Sequence, residues 1–85
     1  MGISAEQTRA ARALLGWSQD QLAIASKVAK ATIANFETAK RTPYDRTLGD
    51  LEEALVNAGV IFLDDGAQKD GGVGVRLGKA KPPSD

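Results

Sequence analysis

The sequence predicts a mainly α-helical domain in which about four helices are followed by a C-terminal β-hairpin. Three observations lead to this fold class. The chain has 85 residues, which suffices for one small domain. Four segments before Gly59 carry apolar residues at helical spacing, and the first two also begin with capping residues. After Gly59, two short runs of strand-forming residues flank a segment rich in Gly and Asp.

The first two predicted helices are marked by their caps. The first runs from about residue 5 to residue 15, with Ser4 as its N-cap. The second begins after Ser18, which forms a capping-box pattern with Gln21 three residues later. A short connection, Lys27-Val28, then leads to the third helix, and we expect the valine to fill the core between the two helices.

The third predicted helix spans about residues 29–38. We expect Ala29, Ile33 and Phe36 on its inner side, which leaves small and polar residues on its outer side. A helix that is held by its apolar side in this way can present the other side to the major groove of DNA. Together with the preceding helix it forms a helix-turn-helix pattern.

The fourth predicted helix spans about residues 44–58. Its inner face carries three leucines at helical spacing, Leu48, Leu51 and Leu55. Pro43 suits its first turn, where the missing N–H costs nothing. Gly49 weakens the helix interior, so we expect either a close approach of another backbone or a bend at this residue.

Residues 60–63 and 73–77 are the predicted strands of the hairpin. A lone two-stranded hairpin is marginal in water, so it should pack on the helices or pair with another chain. Either of two sets of side chains is expected to be buried: Val60, Phe62 and Val75, or Ile61, Leu63 and Leu77. All six are dimerisation candidates, since a strand edge offers unpaired backbone groups. We therefore divide the chain into a helical domain (1–59), a hairpin (60–78) and a disordered tail (79–85).

The charge is unevenly distributed, although 11 basic and 11 acidic residues give a formal net charge of zero. Between Lys27 and Arg46 there are five basic and two acidic residues, whereas residues 47–70 contain one basic and six acidic residues. Such a dipole orients a protein on a polyanion and makes its binding sensitive to salt. The acidic residues are interpreted as a solvated face held away from DNA rather than as a metal site.

Composition excludes several classes of function. The chain has no cysteine and no histidine, so it has no disulfide or thiol chemistry and lacks the commonest catalytic base. There is no apolar run of about 18 residues and no basic-then-apolar leader. We therefore expect a cytoplasmic protein that is not an enzyme and that needs no cofactor and no metal.

Several residue types occur at fixed offsets through the second and third helices and both flanking loops: Arg12, Trp17-Ser18-Gln19, Leu22-Ala23, Val28, Thr32-Ile33, Phe36-Glu37, Lys40-Arg41 and Pro43. In these residues the chain resembles the Cro/CI-type (XRE-like) helix-turn-helix family of bacterial and phage repressors. The likeness covers about residues 7–58. It implies a repressor-like DNA-binding domain that acts as a homodimer on an operator with paired half-sites.

The resemblance also implies roles for particular residues. The base-reading positions are Lys30, Ala31, Thr32 and Asn35, whose side chains suit base edges and thymine methyl groups. The phosphate-contacting positions are Gln19, Thr38, Lys40, Arg41 and Arg46. Arg12 and Glu37 match an ion pair that is mainly structural, with a phosphate contact from Arg12 as its further role. Tyr44 either touches a phosphate or packs at the entry of the fourth helix.

The chain departs from the family pattern in four places. Lys27 replaces the usual glycine of the turn and is expected to carry a strained positive φ. Ala29 replaces the usual capping Ser or Thr, and Ala39 replaces a common glycine. The hairpin stands where the family has a short fifth helix, so the dimer surface is either the hairpin or the exposed part of residues 51–58. The alternative function is a protein-interaction module of the antitoxin or antiactivator type, whose hairpin binds a partner protein.

Overall fold

A computed structural model describes residues 2–64 and 72–78 of the chain. In this part of the chain four helices precede a two-stranded antiparallel sheet, which confirms the predicted fold class. The elements are α1 (Ala5–Leu15), α2 (Gln19–Ser26), α3 (Lys30–Glu37), α4 (Asp45–Asn57), β1 (Val60–Leu63) and β2 (Gly74–Leu77). The predicted disordered tail and most of the hairpin turn lie outside the described residues. None of the four helices is long and apolar enough to cross a membrane.

Serine side chains begin both α1 and α2 through complete capping boxes. Ser18 Oγ accepts from the Gln21 N–H at 3.1 Å, and Gln21 Oε1 accepts from the Ser18 N–H at 2.7 Å, as predicted. Ser4 forms the same pair of hydrogen bonds with Gln7, at 3.0 and 2.9 Å. This second capping box was not anticipated, although Ser4 was the expected N-cap. Both helices therefore start where local hydrogen bonding satisfies their first N–H groups.

The turn between α2 and α3 contains the expected strain. Lys27 caps α2 with φ 61°, in the left-handed region that the family resemblance implied for it. Val28 then enters the core and is 8% exposed. Ala29 is exposed, so its predicted inward position is wrong. The reason is that α3 begins one residue later, and Ala29 is its extended N-cap, outside the helical spacing that orients Ile33 and Phe36.

The core lies where the inner faces of the four helices meet. Its largest fully buried members come from every helix: Thr8 of α1, Leu22 of α2, Ile33 of α3, and Leu51 and Leu55 of α4, with Val60 of β1. The Thr8 hydroxyl is satisfied within the core, because it donates to the Ser4 carbonyl at 2.9 Å. The predicted leucine face of α4 is therefore the face that closes the core over α2.

The structure corrects the position predicted for Pro43 and excludes one of the two alternatives given for Gly49. Pro43 precedes the N-cap Tyr44, so it lies outside the first turn and ends the preceding loop instead. Gly49 is exposed, and, apart from its chain neighbours and the backbone of its own helix, no atom lies within 4 Å of the place that a Cβ would occupy. Another backbone therefore does not approach Gly49 closely. At the other end of the helix, Gly59 follows the C-cap with φ 111° and turns the chain into β1.

The hairpin packs on the helices of its own chain. Val60 is buried, and Phe62 and Val75, which face each other across the strands, are half-buried against the core. The Gln7 side-chain amide also ties the hairpin to α1, donating to the carbonyls of Leu63 at 3.2 Å and Gly74 at 3.0 Å.

The register corrects the predicted grouping of the hairpin side chains. Leu77 lies opposite Val60 and therefore shares the inner face with it, because directly paired residues point to the same side of a sheet. It is nevertheless 44% exposed at the end of the strand. Ile61 and Leu63 lie on the other face, where Ile61 pairs with the exposed Arg76.

Candidate nucleic-acid interface

The outer side of α3 is free of intramolecular packing over most of its length. Ile33 and Phe36 hold the helix against the core at 0% and 5% exposure. The predicted base-reading residues lie on the opposite side: Lys30, Ala31 and Asn35 are exposed, and Thr32 is half-buried. An exposed helix face of small and polar residues near a helix N-terminus has the geometry that enters a major groove.

Lys30 is not a free cation in this surface. Its Nζ lies 3.2 Å from Oδ1 of Asp20, which is in the first turn of α2. Both side chains remain more than half exposed, at 56% for Lys30 and 68% for Asp20. Sequence reasoning did not include Asp20 in the site, because only the packing of α2 against α3 brings residues ten positions apart together.

The loop after α3 is held by backbone hydrogen bonds while its basic side chains are exposed. The N–H groups of Lys40 and Arg41 both donate to the Asn35 carbonyl, at 2.9 and 3.2 Å. Between them and the helix, Ala39 has φ 61°, which glycine adopts with less strain. The Thr38 hydroxyl donates to the Ala34 carbonyl at 2.9 Å, so its hydrogen already has an acceptor within α3.

A cleft separates α3 from the start of α4. It is lined by Thr32, Arg41, Thr42, Pro43, Tyr44 and Thr47, and a neighbouring depression includes Asn35. Tyr44 is 88% exposed, so the packing role considered for it is wrong. Thr42 and Thr47 were missed, and no sequence signal distinguishes them from other loop and helix threonines. Arg46 is exposed in the first turn of α4 and does not line this cleft.

A buried carboxylate joins the three helices behind this surface. Glu37, at the end of α3, has a side chain only 2% exposed. Arg12 of α1 binds it with two hydrogen bonds, Nε to Oε2 at 2.7 Å and Nη2 to Oε1 at 2.6 Å. Gln19 of α2 donates from Nε2 to Oε1 at 3.0 Å, and Arg9 donates to the Glu37 backbone carbonyl. The structure thus joins the two residues expected to pair and adds Arg9 and Gln19 to them.

These contacts determine the ionisation of the cluster. Burial raises the pKa of the Glu37 carboxyl, but hydrogen bonds from Arg12 and Gln19 and the positive charges of Arg12 and Arg9 outweigh burial. The pKa of Glu37 is therefore lowered from its ordinary value. The pKa of Arg12 is raised, chiefly by its hydrogen bond to Glu37. At neutral pH the pair is fully ionised and fixes the end of α3 relative to α1 and α2.

Gln19 both binds the buried carboxylate and begins α2. One of the two N–H groups of its side-chain amide donates to Glu37, and the residue is half-buried. It is also the first residue of α2, where the N–H groups of a helix terminus attract anions. The side chain predicted to contact a phosphate therefore also positions the N-terminus of α2 beside α3.

The acidic residues of α4 are dispersed along its surface. Asp50 and Glu53 are exposed, and Glu52 is half-buried. Within residues 2–64 and 72–78, no three His, Cys, Asp or Glu side chains are grouped so that they could hold a metal ion.

A protein-family model described as helix-turn-helix matches residues 9–55. The match includes α2, α3, the loop after α3 and most of α1 and α4, and it ends before the hairpin. No curated protein matches the chain.

Proposed function

Because the chain belongs to the Cro/CI-type (XRE-like) helix-turn-helix family and is a DNA-binding regulator, we propose that it is a repressor that binds its operator as a homodimer. The observation that carries the proposal is the outer face of α3, which the core holds rigidly and leaves open. The operator contains two related half-sites whose centres are separated by about 34 Å, one turn of B-DNA. The protein acts in the cytoplasm, on the DNA of the nucleoid.

Base reading is assigned to the four residues on the outer side of α3. Lys30 donates to O6 or N7 of guanine, and Asn35 pairs with two atoms of adenine. The methyl groups of Ala31 and Thr32 contact thymine methyl groups. Exposure at three of these positions, and the half-burial of Thr32 at the edge of the cleft, support the assignment.

Phosphate contacts position the helix without reading sequence. Lys40 and Arg41 supply them on one side of α3, because their backbone is held to the helix while their side chains are exposed. Gln19 and the N-terminus of α2 supply them on the other side. Thr38 and Arg46 complete the set, and the Thr38 hydroxyl must leave the Ala34 carbonyl in order to donate to a phosphate. Tyr44 is also exposed.

A titration of DNA by fluorescence anisotropy tests this assignment, with the DNA upstream of the protein's own gene and an unrelated duplex of equal length, at about 0.15 M salt. We expect the upstream DNA to bind about a thousandfold or more tightly. Asn35→Ala should cost about 1–3 kcal/mol on the operator and little on unrelated DNA. Lys40→Ala should weaken binding to both duplexes equally and lower the salt slope by about 1.

The outcomes separate the repressor from the alternative function. Glu53→Gln, which changes an exposed residue of α4, is the control that should leave base selectivity unchanged. If combined replacement of Lys30 and Asn35 by alanine leaves binding and regulation intact, DNA reading at this face is refuted. The protein-interaction module would then be the function to test.

The homodimer is assigned to the outer face and edges of the hairpin. Val60 is 2% exposed and offers no surface to a second chain, and Phe62 and Val75 are half-buried against the core. Ile61 and Leu77 remain 39% and 44% exposed. A second copy that covered Ile61 and Leu63 on the outer face would bury these apolar side chains, and it would pair the backbone of an exposed strand edge.

Sedimentation equilibrium of point variants tests this dimer better than truncation, because removal of the hairpin would also remove Val60 from the core. Ile61→Glu should convert a dimer to a monomer. Ile24→Glu, at a residue of α2 that is 78% exposed, is the matched control and should remain dimeric. A dimer that survives Ile61→Glu and dissociates with Val56→Glu would instead assign the interface to α4.

A further inference from the structure

The carboxylate of Asp20 lies on the same surface as the residues proposed to read DNA. It belongs to the first turn of α2 and is 3.2 Å from the ammonium group of Lys30, which is the first residue of α3. Within residues 2–64 and 72–78 this is one of two ion pairs, and it is the exposed one. A negative charge is therefore held where a polyanion is expected to dock.

Such a pair has little effect on the fold but a direct effect on DNA binding. Exposed ion pairs contribute little to stability, since water screens both charges. A cation that is already paired in the free protein, however, does not neutralise a phosphate. It therefore displaces no counterion from the DNA. Lys30 must leave Asp20 before its full charge acts on DNA.

We propose that Asp20 is an electrostatic competitor that restrains Lys30, so that Lys30 does not serve as a general phosphate contact. This inference rests on the proposed DNA-binding function of α3. On DNA that lacks the operator, Lys30 stays paired with Asp20, and the two charges cancel. On the operator, guanine O6 and N7 replace the carboxylate as acceptors for the ammonium group. Asp20 thereby limits the affinity of the protein for DNA of unrelated sequence.

The test is the affinity of Asp20→Asn for an unrelated duplex, measured across a range of salt concentrations. Asparagine keeps the shape of the side chain and removes its charge. We expect about fivefold tighter binding at low salt, as follows from the interaction of two unit charges near 4 Å in water. The slope of log affinity against log salt should steepen by about 0.9, the value for one additional cation on DNA.

Two further variants show whether the effect passes through Lys30. In a Lys30→Gln background, Asp20→Asn should no longer steepen the salt slope. Glu53→Gln removes one exposed carboxylate from α4 and controls for net charge. Thermal melting of each variant checks that it is folded, which the exposure of all three residues favours.

Each outcome supports or overturns the inference. A steeper slope that depends on Lys30 supports it. A change equal to that of Glu53→Gln, or one that persists without Lys30, overturns it, because Asp20 would then act only through net charge. If the wild-type protein binds unrelated DNA but prefers no operator, the proposed repressor function fails while the competition of Asp20 is still measured. A wild-type protein that binds neither duplex overturns both.

Discussion

Arg12→Met removes the cation that faces the buried carboxylate of Glu37. The variant keeps most of the apolar stem of the side chain and loses both hydrogen bonds to Glu37, at 2.7 and 2.6 Å. It also loses the hydrogen bond from Nη1 to the Trp17 carbonyl at 2.9 Å. Glu37, with a side chain 2% exposed, then retains Gln19 as its side-chain hydrogen-bond partner.

The expected loss of stability follows from this burial. Removing one partner of a buried ion pair costs about 3–5 kcal/mol, because the remaining charge is desolvated and uncompensated. Glu37→Gln should cost less, about 1.5–3 kcal/mol, since Arg12 is 20% exposed and still donates to Trp17. A domain of 85 residues has a total stability of roughly 4–13 kcal/mol. Arg12→Met should therefore lower the melting temperature by at least about 12 °C.

The loss of stability in Arg12→Met should also depend on pH. In the wild-type protein the pKa of Glu37 is lowered from its ordinary value of 4.5, so the pair stabilises the fold above pH 4.5. This contribution is lost as the pH falls through the lowered pKa. In Arg12→Met, burial is no longer offset by Arg12, and the pKa of Glu37 should lie above 4.5. Protonation then relieves the buried charge, so the difference between variant and wild type should narrow between pH 7 and pH 4.5.

Urea denaturation followed by far-ultraviolet circular dichroism at pH 7 and pH 4.5 measures both effects. Arg46→Met, at an exposed position of α4, is the control for loss of an arginine. The reasoning is refuted if Arg12→Met is within about 1 kcal/mol of that control at pH 7, well below the cost of breaking a buried pair. If the difference in stability between Arg12→Met and the wild type grows from pH 7 to pH 4.5, the buried charge of Glu37 is not its cause.

Three further predictions concern backbone strain and the anchoring of the hairpin, and chemical denaturation measures each. Ala39→Gly should stabilise the protein by about 1 kcal/mol, because φ of 61° strains a residue with a Cβ. The control Ala10→Gly, at an exposed position in the interior of α1, should destabilise it by a similar amount. Equal signs would contradict the strain argument. Gly49→Ala should stabilise α4 by about 0.5–1 kcal/mol, since open space receives the methyl group; a loss of stability would show that the glycine has a role in packing. Gln7→Ala and Gln21→Ala each remove a capping box, but Gln7→Ala also removes two hydrogen bonds to the hairpin. It should therefore lower the free energy of unfolding by about 1–3 kcal/mol more than Gln21→Ala. Equal losses would show that these bonds do not anchor the hairpin.

Features that depend on neighbouring residues were predictable from the sequence. The capping box of Ser18, the leucine spacing of α4 and the positive φ of Lys27 were all predicted, and the structure confirms them. The first two result from interactions within about one or two turns of chain, which the order of residues alone determines. The positive φ of Lys27 was implied by the family resemblance, because glycine is usual at this position. The same reasoning was less secure at element boundaries, where Ala29 and Pro43 were placed inside helices that begin one or two residues later.

The sequence by itself determined the helices, their inner faces and the outward side of α3, because helical spacing decides which residues share a face. Tertiary structure decided which distant polar groups meet. Gln19 reaches Glu37 across 18 positions, and Gln7 reaches Leu63 and Gly74 across 56 and 67 positions. Asp20 meets Lys30 only because the turn at Lys27 folds α2 against α3. The physical reason is that these contacts depend on the angles at which helices and strands pack, which arise from the whole core and not from local sequence.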